Sequence, residues 1–276
     1  MATQQQHQAR TVTSADGTPI AFERFGEGPP LIVIGGATCD RARTRGVSEA
    51  FARDRAVINY DRRGRGDSGD TQPYAVQREI EDIAALIEEA GGAASLYGHS
   101  SGAGLALHAA ARGLPIEALV MHEPPYSPDR DEDRREARLY GEQLRALLAE
   151  GRRGEAVELF FTIVGMPGEM IGEMRRGPGW ADLEALAPTL AYDSEVMGDV
   201  ATGGVMPTEL AARVTAPTLV IAGGAGPEWM VDVARQVADA MKNAELRVLE
   251  GHEHVVPPDV LAPVVEEFLA GAAARG

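Results

Sequence analysis

The pentapeptide Gly98-His99-Ser100-Ser101-Gly102 lies between a short apolar run, residues 94–97, and an alanine-rich stretch that reads as a helix from near Gly102 to Arg112. A strand that passes straight into a helix through two glycines has to turn sharply, and glycine permits this because it carries no Cβ. Such a turn holds the Ser100 hydroxyl at its tip beside the helix N-terminus, where the peptide dipoles favour negative charge. Ser100 is therefore the candidate nucleophile, and its surroundings are constrained to strands alternating with helices.

The rest of the chain reads in the same way. Residues 11–14 and 19–25 are expected to pair as an edge hairpin around the Asp16-Gly17 turn. Residues 31–34 and 56–60 are largely apolar, the mark of strands buried on both faces of a parallel sheet, and each leads into a glycine-rich turn. Val76, Ile80, Ile83 and Ile87 repeat at helical spacing within residues 74–90, and Gly91-Gly92 ends that helix. Another strand is expected over 116–121. From Pro124 to about Met206 no buried strand stands out, but charged helical stretches, glycine and proline breaks and the cluster Phe160, Phe161, Ile163, Val164 do. Alternation resumes with a strand at 217–222, a helix at 228–241, a strand at 246–249 and a last helix through Phe268. The fold class expected is α/β: a mostly parallel, doubly wound sheet with right-handed crossovers, residues 1–124 and 207–276 forming the core and 125–206 a helical cap.

Composition narrows the range of partners. A formal net charge of −16 repels phosphate backbones and anionic bilayers, so no nucleic acid or membrane partner is expected and small molecules become the default ligands. Cys39 is the single cysteine, which rules out an intrachain disulfide or an all-cysteine metal centre. The polar, glutamine-rich start of the chain lacks the apolar stretch of a secretory signal, and a cytoplasmic location is the expectation. No histidine pair stands at metal-binding helical spacing, and Gly102-x-Gly104 lacks the full dinucleotide fingerprint, so neither metal nor cofactor is expected.

A serine hydroxyl is a weak nucleophile near neutral pH and needs a base, a group that orients the base, and donors for the developing oxyanion. Of the six histidines only His252 and His254, behind the last strand, arrive where a serine on the elbow could meet them. The elbow, the segment Asp61-Arg62-Arg63-Gly64-Arg65-Gly66-Asp67-Ser68 and the late histidine together resemble the α/β-hydrolase superfamily over nearly all of the chain outside the cap. The resemblance implies the order serine, acid, histidine, with the histidine a few residues past a glycine. Gly251 makes His254 the match and His252 the reserve.

Members of that superfamily usually carry the acid after the penultimate strand, yet Ala222-Gly223-Gly224-Ala225-Gly226-Pro227 holds no carboxylate. A second arrangement in the superfamily takes it from the end of the strand after the elbow helix, where Glu123 stands; Glu228 and Asp232 are the fallbacks. The resemblance further implies that the backbone amides of Ser101 and Ala37 form the oxyanion hole, with Gly35-Gly36 in place of the customary His-Gly. It gives the Asp61 segment a loop-shaping role. His99, His108 and His122 are expected to be packing or solvated, and Cys39 a spare thiol.

The cap carries Phe160, Phe161, Met166, Met170, Met174, Trp180 and Tyr192, side chains that adapt to apolar ligands. Tyr126, Trp180 and Trp229 are the expected pocket walls, and the expected partner is a small hydrophobic substrate, with a homo-oligomer allowed. Acyl-transfer hydrolysis of an ester or thioester is the leading function. A cyclase, lyase or perhydrolase on the same site, or a non-catalytic receptor, are the competing readings, since one fold hosts many chemistries.

Overall fold

The computed structural model describes residues 9–274. Among them an eight-stranded sheet has the order β1-β2-β4-β3-β5-β6-β7-β8, built from β1 (Arg10–Thr13), β2 (Pro19–Phe25), β3 (Pro30–Ile34), β4 (Ala56–Tyr60), β5 (Ala94–His99), β6 (Ile116–His122), β7 (Thr218–Gly223) and β8 (Ala244–Leu249). The hairpin β1-β2 is antiparallel and joins β4 antiparallel; every later pairing is parallel. The hairpin lies at one edge, and β8, half-exposed along its length, closes the other.

Helices α1 (Arg41–Phe51) and α12 (Pro258–Ala273) pack on one another and share one apolar cluster, and α2 (Val76–Ala90), α3 (Ser101–Ala111) and α11 (Glu228–Asp239) occupy the other. Because β3 to β7 are covered on both faces, their side chains are almost all buried, which is why those segments read as apolar runs rather than alternations. Under the elbow, α3 is buried along most of its length, and Leu105 and Leu107 are fully inaccessible. Each such leucine contributes about 1.5–3 kcal/mol relative to exposure.

Helix α1 has no counterpart in the sequence reading. Its run RARTRGVSEAF buries only Ser48, Ala50 and Phe51, so no apolar stripe of helical period marks it. Its start is nonetheless coded, because the Asp40 side chain accepts the Arg43 N–H at 3.0 Å as an N-cap.

Between β6 and β7 the chain is helical: α4 (Asp131–Ala149), α5 (Arg153–Ile163), α6 (Gly168–Arg176), α7 (Trp180–Leu186), α8 (Leu190–Met197), α9 (Asp199–Thr202) and α10 (Thr208–Ala211). This insertion has its own apolar cluster, with Leu144, Val157, Phe161, Ile171, Trp180, Leu183 and Leu190 among its buried members. Its two ends meet, since the Ser127 N–H donates to Gly204 O at 2.8 Å and Ser127 bridges to Val205. Among the described residues no helix is long and apolar enough to cross a membrane.

Candidate active site

Ser100 stands between β5 and α3 with φ 57° and ψ −127°, a backbone conformation unfavourable for a residue with a Cβ. Neither flanking glycine has positive φ. The sharp turn therefore falls on Ser100 itself, and the glycines serve a different need. A Cβ on Gly98 would lie 2.4 Å from Gly102 O, and one on Gly102 would lie 2.3 Å from Ile34 O, so they let the turn, its helix and β3 approach closely. The conformation is held by hydrogen bonds on both sides, from Ser100 N–H to His122 O and from Ala103 N–H to Ser100 O, each 2.9 Å.

Thr38, Ser100 and Glu123 are the positive-φ residues other than glycine among those described, with φ of 57°, 57° and 53°. They follow β3, β5 and β6, three adjacent strands of the sheet, at the same carboxyl-terminal edge. Backbone strain gathered at one place is characteristic of a site whose geometry the surrounding fold enforces.

Glu123 is only 3% exposed. Its backbone N–H is tied to Ile221 O at 2.8 Å, its Oε1 accepts the Gly223 N–H, and its Oε2 lies 3.1 Å from His254 Nδ1. With a carboxylate as acceptor, His254 carries its proton on Nδ1 and presents the Nε2 lone pair. The His254 loop is anchored a second time: its carbonyl accepts the His99 Nε2–H at 2.9 Å, and the two rings pack with centroids 4.7 Å apart. His254 thus sits against the residue that precedes Ser100. Among the described residues the Ser100 hydroxyl forms no hydrogen bond.

Gly223 packs tightly against the histidine loop. A Cβ there would meet His252 O at 2.5 Å and Glu253 O at 2.6 Å, and Ala225 N–H donates to His252 O at 2.9 Å. The end of β7 is closed against the histidine loop, with no room for a side chain at Gly223. The fallback acids point elsewhere. Glu228 is exposed at the start of α11, and Asp232 pairs with Arg235 at 2.7 Å on the surface of that helix.

The strand-end loop carrying Ala37 crosses directly over the serine: a Cβ on Gly36 would be 2.9 Å from Ser100 Cβ and 3.4 Å from its Oγ. Glycine is required for that crossing, and Ala37 is the next residue of the loop. Ser101 opens α3, where backbone N–H groups have no intrahelical acceptor. The two expected oxyanion donors therefore belong to the residues that follow Gly36 and Ser100 in the chain.

Beneath this loop lies a buried ionic cluster. The paired charges of Arg62 and Arg65 face Asp193 of α8, and Arg62 also makes a two-pronged contact with Glu79 at 2.7 Å for each prong. Burial works against both carboxylates, but the adjacent guanidiniums outweigh it and hold Glu79 and Asp193 below the ordinary carboxylate range. Burial pushes the His99 imidazole down to about 4 and His122 well below its usual value, so both are neutral near His254. Cys39 is raised by burial, which keeps it a thiol.

The three expected pocket walls are not brought together. Tyr126 is fully buried in the sheet-side core, Trp180 is buried in the insertion's cluster with its Nε1–H on Glu184 at 3.1 Å, and Trp229 is 40% exposed on α11. Among the described residues no group of three or more His, Cys, Asp or Glu is placed to hold a metal ion. Sequence reasoning gave the segment of Arg62 and Arg65 a loop-shaping role, which agrees with their bonds to residues 35–39, and passed over Asp193.

Comparison with known proteins agrees with this architecture. The family model described as the alpha/beta hydrolase family matches residues 18–267. The chain is similar to an alpha/beta hydrolase from Sphaerobacter thermophilus, 50% identical, covering 94% of this chain and 99% of that one with a TM-score of 0.84. A thermophilic esterase from Thermogutta terrifontis shares the fold at 23% identity, 96% and 99% coverage and a TM-score of 0.70. The N-formylmaleamate deformylase of Pseudomonas putida is 34% identical over 119 residues, a match that spans 41% of this chain and 44% of that relative's length. Sheet order, elbow and family model point the same way, and the chain belongs to the α/β-hydrolase family.

Proposed function

We propose that this protein is a serine hydrolase that needs no cofactor and cleaves an ester or thioester of a small hydrophobic molecule. The observation that carries the reading is the convergence at one sheet edge of a serine strained at the elbow, a histidine on the neighbouring loop, and a buried carboxylate 3.1 Å from that histidine's Nδ1.

Each group then has one task. Ser100 Oγ attacks the acyl carbonyl while His254 Nε2 takes its proton, and Glu123 stabilises the imidazolium and fixes its orientation. The Ala37 and Ser101 amides hold the tetrahedral oxyanion, and such donors are each worth about 10²–10³ in rate. His254 returns the proton to the leaving alcohol or thiol as the carbon–heteroatom bond breaks. Water, deprotonated by the same imidazole, attacks the acyl enzyme and releases the acid. The neutral His99 beneath His254 adds no positive charge to oppose the imidazolium.

The helical insertion is the cap over this site. Its methionines and aromatic residues favour an apolar acyl or alcohol group. The deformylase relative, by its name, removes an acyl group, which supports the same reaction type.

A fluorophosphonate probe tests the reading. The wild-type protein is expected to gain one adduct at Ser100 and to hydrolyse short-chain p-nitrophenyl esters, and Ser100→Ala is expected to lose both. Ester turnover surviving in Ser100→Ala, or a wild type without the adduct, refutes it.

A further inference from the structure

Asp193 lies on α8, within the helical insertion, yet its carboxylate is inside the sheet domain's core and only 5% of its surface is exposed. It accepts the Ser101 hydroxyl at 2.7 Å, Arg62 Nη1 at 2.6 Å, and Arg65 Nη2 at 2.9 Å and 2.8 Å. Each arginine also donates through Nη1 to the loop that carries the other oxyanion amide. Arg62 Nη1 reaches Gly35 O at 3.3 Å, while Arg65 Nη1 donates to Gly36 O and, at 3.1 Å, to Cys39 O. One carboxylate is thus joined to Ser101 directly and to residues 35–39 through two rigid guanidiniums.

The geometry points to Asp193 as a positioning residue: through Ser101, Arg62 and Arg65 it holds both oxyanion donors in place, so the oxyanion hole is complete only while α8 is docked. This inference rests on the serine-hydrolase reading above. It follows from what each bond fixes. The Ser101 side chain bond sets the rotation of the first turn of α3, and with it the direction of the Ser101 N–H. The guanidiniums fix the carbonyls of Gly35, Gly36 and Cys39, and a peptide plane whose carbonyl is fixed has its neighbouring amide fixed too. Asp193 never reaches the reacting atoms; it acts through the backbone.

The charge balance demands the same partner. Arg62 and Arg65 are almost wholly buried, with Glu79 and Asp193 as the facing carboxylates. Removing the aspartate charge leaves an uncompensated buried guanidinium, and the arginines then move to find another acceptor. Docking of α8 is itself reinforced outside the site. Tyr192 stacks on Tyr74 with ring centroids 3.8 Å apart and donates to Asp70 at 2.7 Å, and His108 Nε2 bonds Val196 O at 3.1 Å. The helix can therefore stay attached while its aspartate is altered.

The test compares wild type, Asp193→Asn, Ser101→Ala and the double variant, using a p-nitrophenyl ester, a trifluoromethyl ketone that forms a tetrahedral adduct, and thermal unfolding. Misplacing a reacting group by about 1 Å costs about 10²-fold. Asp193→Asn is expected to lower kcat about 10- to 100-fold with KM within about threefold, and to weaken the ketone by the factor lost from kcat/KM. The double variant is expected to lose less than the product of the two single losses, because both act on one linkage.

A folded Asp193→Asn protein with kcat within about twofold of wild type, or one that loses kcat while binding the ketone normally, overturns the inference. Should Asp193→Asn fail to fold, Ser101→Ala decides: a lower kcat at constant KM supports the linkage and an unchanged kcat overturns it. A wild type that takes no fluorophosphonate at Ser100 removes both readings together, whereas a labelled wild type beside unaffected variants removes only this one.

Discussion

Replacing Glu123 by glutamine reverses one hydrogen bond and leaves the packing intact. The side chain has two partners: Oε1 accepts the Gly223 N–H, and Oε2 faces His254 Nδ1 at 3.1 Å. The Gly223 amide can only donate, so the glutamine oxygen has to remain on that side. Its NH2 group then faces His254 and requires Nδ1 to accept, which forces the imidazole proton onto Nε2. In that tautomer the base cannot take a proton from Ser100. The equivalent change in the Ser-His-Asp enzymes, which imposes the wrong tautomer, costs about 10⁴ in kcat. A loss of 10³–10⁴ is expected here, about 4–5.5 kcal/mol of transition-state stabilisation. Thermal unfolding is expected to shift little, because the Gly223 bond and the volume are kept. Glu228→Gln and Asp232→Asn, both on the exposed face of α11, are expected to stay within about twofold, as surface changes away from the site do. Steady-state kinetics with p-nitrophenyl esters at neutral pH measures all three. A Glu123→Gln enzyme within tenfold of wild type refutes the reasoning about tautomer and acid together.

Two further outcomes concern stability. Gly223→Ala forces a Cβ against the carbonyl oxygens of His252 and Glu253 at 2.5 and 2.6 Å, so the histidine loop has to move; a stability loss of about 1–3 kcal/mol by urea unfolding is expected, with a fall in kcat larger than that loss explains. Asp199 is raised by burial from 3.8 to about 7, so the folded state binds more protons than the unfolded state between those values and stability falls as pH rises through that window. Asp199→Asn is expected to raise the unfolding midpoint at pH 8 and to leave it nearly unchanged at pH 4; equal shifts at both values contradict the assignment.

Wherever burial is the physical cause, the fold was legible in the sequence. The runs at 31–34, 56–60, 94–97 and 116–121 are apolar because both faces of those strands are covered, and the helix after residue 76 shows its stripe because one face packs on the sheet. Helix α1 escaped because it buries almost nothing apolar, and only its Asp40 cap marks it. In the site, Ser100, Glu123 and His254 were traceable because each follows a strand and the topology brings those strand ends to one edge. The Asp193 linkage was not traceable, since its partners lie 92 to 131 residues away in the chain and no local pattern signals such a pairing. The turn was legible, but the residue that takes its positive φ was not. The glycines make the room that their missing Cβ implies, and the serine takes the unfavourable backbone conformation.

The insertion leaves and rejoins the sheet at one doorway, where Ser127 and Val205 pair. Topologically such a segment is a cassette, and a foreign set of helices could be spliced between those two residues without cutting the sheet. The salt cluster sets a condition on that exchange. A replacement segment without an acid in the place of Asp193 would strand Arg62 and Arg65 in the interior of the host. On the proposed function, with the insertion as cap, a graft keeps the site working only if it brings its own counter-ion, and a library of chimeras should sort into active and inactive members by that one carboxylate.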